Sequence, residues 1–454
     1  MDLLKMSNRL LRRTSIIALI VLAGLQLDCR HSQPITIRLA GEKWFLDDLT
    51  KTNMIGVFEQ QTGIKITVMH KDHQELVTEL EQPASRKVTY DLILMRHRFL
   101  GQLVERGLVQ AVDSFLGDAT LHDPRFKPRE QLFDSWWQEI SWYESKIYGY
   151  PFTELTPYLC YRKDLLDDPS EQVHFKTRYH RNLEAPKTWA EYMQLAEFFT
   201  RPKQHFYGTY IQGQNHIALW YEWLNFAYSF GGNILDTKDG GEYGDIVVNS
   251  PQTLAATNQY LALIPFSPPD TLSYNWNGAQ AALQQGRVFM GILWNDQAPL
   301  LEDPSVSKVL GKIGYTTIPS ATGKPFSQLE GWSYLIPKES THPREAYRFM
   351  EWAMSPEVQV QETIKGGESP MKSTYADARV SKLPYIPAFL ASVPIAIPKP
   401  TIPESAQMTE VMQRTLSEIV TRKRAPKEGL DIMALEIQDI LGTRGRLRYP
   451  VNHR

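Results

Sequence analysis

Six tryptophans, Trp44, Trp220, Trp223, Trp276, Trp294 and Trp332, each stand near a glycine, an asparagine or a charged residue. A flat indole beside hydrogen-bonding groups suits a polar ligand with apolar C–H faces, which in an exported chain points to a sugar. Any single tryptophan could equally fill a core, so the group carries the inference. The densest stretch is Trp220-Tyr221-Glu222-Trp223. On a helix Trp220 and Trp223 share a face, and both line a cleft or both pack inward; Trp220 is the one assigned to the cleft. Trp294-Asn295-Asp296 and Glu330-Gly331-Trp332 repeat the combination, with Gly331 allowing a ligand close to the backbone.

Charged groups complete the candidate site. Glu42 and Trp44 follow the first expected strand, Arg96 and His97 follow another, and Glu154 lies just beyond Pro151. Glu368 sits in the glycine-rich turn Gly366-Gly-Glu-Ser369. The ligand-binding candidates are therefore Glu42, Trp44, Arg96, Glu154, Trp220, Trp294, Asp296, Gly331, Trp332 and Glu368. Glu154 also fits a solvated hinge, and Arg96 a surface or capping role. Paired carboxylates such as Glu154 with Asp296, or Asp296 with Glu330, could in principle cleave a glycosidic bond. No nucleophile elbow, phosphate loop, dinucleotide fingerprint or zinc-protease pair accompanies them. His70-Lys-Asp-His73 has no third ligand, so no metal or cofactor is expected and the chain reads as a binder, not an enzyme.

These residues need elements to hold them. Ile35, Ile37 and Leu39 alternate as a strand, as do Ile64, Ile66 and Val68, while Leu92-Ile-Leu-Met95 is a continuous apolar run suited to a strand covered on both faces. Helical spacing between them implies βαβ order and a mostly parallel sheet, whose strand ends would carry the site. Thr188-Trp-Ala-Glu191 is a capping box, and Ser250-Pro251 opens another helix. Val288 to Trp294 and Trp332 to Pro337 read as later strands.

The chain ends set the compartment. Lys5, Arg9, Arg12 and Arg13 precede the apolar run from Ile16 to Leu25, a secretory signal pattern assigned to residues 1–29. No later run reaches the roughly 18 apolar residues that would span a bilayer. Cys29 invites a lipid anchor, but Asp28 before it departs from the small residues that such processing prefers, and free periplasmic release is favoured. Cys160, in Tyr158-Leu-Cys-Tyr161, reads as a small buried hydrophobe. A formal net charge of -2 with interspersed signs excludes nucleic acid as a partner.

The order of motifs resembles the family 1 extracellular solute-binding proteins, the maltodextrin-binding-like receptors of bacterial ABC importers. It is carried by Tyr90-Asp91-Leu-Ile, Gly107-Leu-Val-Gln-Ala-Val-Asp113, Lys146-Ile-Tyr-Gly-Tyr-Pro151, Tyr161-Arg-Lys-Asp-Leu165, Pro186-Lys-Thr-Trp189, Phe230-Gly-Gly-Asn-Ile234 and Asn249-Ser-Pro251. Gly286-Arg-Val-Phe-Met290, Gly331-Trp-Ser-Tyr-Leu-Ile-Pro337 and Phe349-Met-Glu-Trp352 continue it. Phe289 stands where the family typically has a small residue, and the linker from Asp167 to Glu184 is long and charged.

The resemblance implies an α/β, two-lobe periplasmic-binding-protein fold, each lobe a mostly parallel sheet flanked by helices, with ligand enclosed between lobes by hinge closure. The expected division is residues 34–148 plus 288–340 for one lobe, 149–287 plus 341–442 for the other, and a basic tail over 443–454. It further implies a monomer that binds a mono- or oligosaccharide and passes it to an ABC permease, with a membrane contact only through a lipid anchor. A ligand sensor feeding a membrane receptor, a binder of another polar solute and a glycoside hydrolase are the alternatives.

Overall fold

The computed structural model describes residues 34–82, 88–134, 141–237 and 243–442. The expected export signal, Cys29 and the basic tail lie outside the described residues. Strand β1 (Thr36–Gly41) runs parallel to β2 (Lys65–His70) and to β3 (Leu92–Arg96). Helices Lys43–Lys51, Met54–Thr62 and His73–Glu81 provide the crossovers. Every residue of β3 is buried, as its continuous apolar run requires when both faces are covered. Asp72 caps the third of these helices by accepting from the Glu75 N–H, which sets where His73 begins.

A short hairpin, β4 (Trp142–Tyr143) with β5 (Lys146–Ile147), turns through Glu144 and Ser145, both at positive φ. It leads into β6 (Gly149–Leu155) and then β7 (Pro157–Arg162), with Thr156 alone between them. A second small hairpin pairs β8 (Leu235–Thr237) with β9 (Tyr243–Ile246). The last strands are β10 (Met290–Trp294), β11 (Ile313–Thr316), β12 (Ser327–Leu335) and β13 (Ala396–Pro398).

Two sheets result. The larger has the order β13-β12-β3-β1-β2, with β6 also paired to β12. The smaller has the order β10-β7-β11, and both of its pairings are antiparallel. The α/β class is as expected, but the small sheet is not mostly parallel. A buried apolar run such as Met290–Trp294 looks the same in either direction, so composition could not report polarity.

Strand pairing also divides the chain differently from the expected segments. β6 belongs to the large sheet through β12, whereas β10 and β11 join β7 in the small one. Helix Pro343–Ala353 packs on the large sheet: Phe349 meets Tyr334 and Phe58 with ring centroids 5.5 and 5.0 Å apart. Burial tells a strand that it is inside; it does not say which of two sheets it joins.

The helical layer around the small sheet follows its local signals. Thr188 and Glu191 form the expected capping box of helix Trp189–Phe199, and Ser250 caps Pro251–Leu261. In helix Ile217–Ser229 every residue after Ile217 is buried, and Trp223 donates to Thr257 Oγ1 at 2.9 Å, which makes it core. Cys160 is buried and unpaired, consistent with a packing role. Among the described residues no helix is long and apolar enough to cross a membrane.

Gly208 lies flush against this layer: a Cβ there would stand 1.9 Å from the Ala196 carbonyl oxygen, a backbone atom that cannot swing aside. Overpacking of this kind costs about 2–3 kcal/mol. Gly208→Ala should therefore lower the free energy of urea unfolding by about that amount, and an unchanged midpoint would mean that helix Trp189–Phe199 is free to shift.

Candidate ligand-binding site

The site begins with a buried carboxylate. Glu330, on β12, is 2 % exposed, and burial alone would push its carboxyl up. Lys399 and His97 reverse that and hold it well below the usual carboxylate range, with Nζ at 3.4 Å and Nδ1 at 3.0 Å. Tyr221 donates its hydroxyl to the same carboxylate and accepts from Arg98 Nη1 at 3.1 Å. Lys399 also donates to the Leu329 carbonyl at 3.0 Å, and its ammonium sits 4.3 Å from the Tyr221 ring centroid and 5.3 Å from that of Trp294. Burial pushes Lys399 down to about 8, against the pull of Glu330.

A second cation lies between indoles. The Arg96 guanidinium, at the end of β3, is 4.4 Å from the Trp332 ring centroid and 5.7 Å from that of Trp276. Trp332 comes from the large sheet, while Trp276 opens helix Trp276–Gln284, whose start is set by the Asn275 cap. Glu42 stands 3.6 Å from Arg96 and 2.9 Å from His73 Nδ1. His73 Nε2 accepts the Arg96 backbone N–H at 3.0 Å, so the proton of the neutral ring belongs on Nδ1, facing Glu42. Burial keeps His73 below its ordinary value. Arg96 loses affinity for its proton through burial and regains more from Glu42, Tyr221 and Glu330 together, so it stays charged.

Beside this network opens a cavity of about 540 Å³. Phe45 is the partition: its ring is 4.3 Å from Trp332 on one side, and it lines the cavity on the other. Phe152, Tyr334, Phe349 and Trp352 supply further aromatic wall, and Thr153, Asp296 and Glu368 supply polar groups. Thr153 donates to Glu368 Oε2 at 3.1 Å. Residues from both sheets meet here, since Thr153 is on β6 and Asp296 follows β10.

The expected residues separate into groups. Glu42, Arg96, Trp294 and Trp332 gather in the charged network, with Gly331 beside it, its carbonyl 3.4 Å from His97 Nδ1. Asp296 and Glu368 line the cavity. Trp220 joins neither: it packs behind the network among Ile234, Met408 and Met412, and Tyr221 takes the place assigned to it. The backbones of Trp44 and Glu154 lie in helix Lys43–Lys51 and opposite Gly331 on β12, and their side chains are outside the described residues. Sequence reasoning missed Lys399 and Tyr221, and it named Trp276 among the six tryptophans without placing it in the candidate set. Tyr221 lay inside the aromatic motif already singled out, one helical step of about 100° from the residue selected. Lys399, between Pro398 and Pro400, gave no signal.

Residues 41–360 match the family model of bacterial extracellular solute-binding proteins. The chain belongs to that family. A probable amino-acid ABC transporter periplasmic-binding protein of Sinorhizobium fredii is 23% identical over 58% of this chain and 59% of its own length. That match thus spans less than two thirds of the relative. A solute-binding protein of Agrobacterium radiobacter solved with ribitol is 25% identical, with a TM-score of 0.76 over 89% of this chain and 98% of the other. One from Thermotoga lettingae, bound with alpha-D-tagatose, is 23% identical, with a TM-score of 0.74 over 90% and 99%. The solute-binding chain thus has the two-lobe fold of periplasmic sugar-binding proteins.

Two outcomes follow from the buried charges of this family member. Glu330→Gln leaves Lys399 without its counter-charge and should cost about 3–5 kcal/mol in urea unfolding, part of it recovered in Glu330→Gln/Lys399→Met. A loss in the double variant equal to the sum of the Glu330→Gln and Lys399→Met losses would show that the two groups do not interact. Lys399 is depressed to about 8 from 10.5, so between those values the unfolded chain binds more protons. Its burial penalty is complete below pH 8 and gone above pH 10.5, and stability should rise across that window. Lys399→Met should remove this rise from the stability–pH curve; a curve parallel to the parent's would exclude Lys399 as its source.

Proposed function

We propose that this chain is an exported receptor that captures a carbohydrate and delivers it to an ABC importer without covalent chemistry. The observation that supports it most is the cavity of about 540 Å³, walled by aromatic rings and edged by Thr153, Asp296 and Glu368 where elements of the two sheets meet. A sugar is poorly hydrophobic and gives up many water hydrogen bonds on binding, so it needs ring faces to cover its C–H groups and polar partners for its hydroxyls. Family membership and the ribitol- and tagatose-bound relatives favour the same ligand class.

In this reading Phe45 and Phe152 carry stacking surface, backed by Trp332 with Trp294 in the adjoining network, Asp296 and Glu368 accept from hydroxyls, and the Glu330–Tyr221 and Arg96–Trp276 contacts join the lobes on closure. Trp44, Glu154 and Gly331 remain candidates for ligand contact, and Tyr221 replaces Trp220. The lobes are built around the large sheet, with β6 and helix Pro343–Ala353, and around the small sheet, with β10 and β11. The receptor works as a monomer in the periplasm, or tethered if Cys29 is acylated, and its partner is the transmembrane part of a permease.

Thermal melting against sugars, polyols, amino acids and inorganic anions tests this reading. A ligand at a hundredfold over its dissociation constant should add about 2.7 kcal/mol to the folded state. A shift with sugars or polyols, the ligand being recovered unchanged, is the expected result; a shift with amino acids alone would move the ligand class. Trp294→Ala and Trp332→Ala should each weaken the sugar identified more than tenfold by calorimetry, with Trp294→Phe losing less. Full affinity in both alanine variants, each melting cooperatively, would place the ligand elsewhere.

A further inference from the structure

Two sets of side chains face each other within the buried network. From the small-sheet side come three neighbouring rings: Tyr221 lies 5.7 Å from Trp294 and 6.1 Å from Trp276 between centroids. Against them stand three cations from the large-sheet side, Arg96 and Arg98 at and just past the end of β3 and Lys399 just past β13. Arg96 is 5.7 Å from the Trp276 centroid, and Arg98 donates to the Tyr221 hydroxyl at 3.1 Å. Lys399 is 4.3 Å from the Tyr221 centroid and 5.3 Å from that of Trp294. Each cation is also held on its own side, Arg96 by Glu42 and the Trp332 face, Arg98 by the Phe99 face, and Lys399 by Glu330 and the Leu329 carbonyl. Trp276 is fixed to the opposite side. Its helix packs against β10, its carbonyl accepts from Gln297 Nε2 at 3.0 Å, and its ring meets that of His216 edge to face at 5.0 Å.

We propose that this seam of cations against rings is a clasp that draws the two lobes together before any ligand arrives, with Trp276 as a positioning residue of the closed form. Every contact in it runs directly between protein groups, so its free energy is available to the ligand-free receptor. A cation within about 6 Å of a ring face is attracted most strongly where water is excluded, and Arg96, Lys399 and Tyr221 are all buried. Opening the lobes would return both partners to water, which hydrates the cations well and the rings poorly. The clasp therefore biases the equilibrium towards closure without locking it. A receptor that is already closed in part of its population loses less of a ligand's affinity to the motion. The inference needs the two-lobe fold and no particular ligand, so it stands apart from the carbohydrate reading.

The test is small-angle X-ray scattering on the purified protein, freed of bound ligand by unfolding and refolding. The profile is fitted as a mixture of the arrangement described here and one opened about Thr156. At least half of the ligand-free parent should be closed, and Trp276→Leu should lower the closed-to-open ratio about fivefold or more. Trp276→Phe keeps a ring face for Arg96 and should recover most of that ratio, whereas a role in packing alone would leave the two variants alike. Cooperative melting shows that each variant is folded. A ligand-free parent that scatters as the open form alone would overturn the proposal, and that arm holds even if Trp276→Leu fails to fold. Equal ratios in the parent and Trp276→Leu would overturn it too, as would equal opening by the leucine and phenylalanine variants. None of these outcomes bears on the ligand class, which the melting scan decides by itself.

Discussion

A carboxylate removed from water must be surrounded by donors and positive charge, and Glu330 organises the molecule around that requirement. Its neighbours come from distant parts of the chain: His97 after β3, Tyr221 from a helix flanking the small sheet, and Lys399 just beyond β13. Each must be delivered within hydrogen-bonding reach, so the requirement links β12 to both sides of the fold. β12 suits the task because it has three strand partners, β3, β6 and β13, and every one of its residues is buried. Such a network contributes less to net stability than to uniqueness, since removing one partner strands another and alternative arrangements leave charges bare.

The aromatic residues divide into two uses. Trp189, stacked 4.1 Å from Phe226 and donating to Ser229 Oγ at 2.7 Å, has its polar atom satisfied within the core. Trp276, Trp294 and Trp332 instead present faces to cations, so their rings are held by electrostatics as well as packing. Phe45 and Phe152, 5.4 Å apart between centroids, extend the same surface into the cavity. The aromatic residues of the chain thus pack the core on one layer and line the cavity on the next.

Much of this was legible in the sequence, for reasons that are local. Strand alternation near Ile37, the buried run at Leu92–Met95, the Thr188–Glu191 capping box and the Ser250-Pro251 start each depend on a few neighbouring residues, and each appears in the structure. Trp294, Asp296 and Arg96 stood out as candidates because they lie at or just past strand ends, where side chains leave the sheet, whereas Trp332, in the middle of β12, stood out through its neighbours Glu330 and Gly331. Pairing partners were not legible: nothing in Gly149–Leu155 says that it seeks β12, and nothing in Met290–Trp294 says that it will lie antiparallel to β7. Trp220 went to the wrong face because a helix buried on all sides carries no hydrophobic stripe from which to read its orientation. Lys399 was invisible because its importance comes from a carboxylate 69 positions earlier, and no local pattern records that distance.

Thr156 is the one residue between β6 of the large sheet and β7 of the small one. Its N–H donates to Asn295 Oδ1 at 2.9 Å, its hydroxyl lies 2.5 Å from Ser327 Oγ, and Ser327 in turn donates to the Pro157 carbonyl at 2.9 Å. On this crossing, any change of angle between the sheets is confined to the torsions of one clamped residue. The joint therefore behaves as a stiff pivot with a long lever on either side: a few degrees absorbed there become a displacement of ångströms at the mouth of the cavity. Asn295 stands between Trp294 and Asp296, so the crossing at Thr156 and the cavity wall at Asp296 are parts of one mechanical linkage.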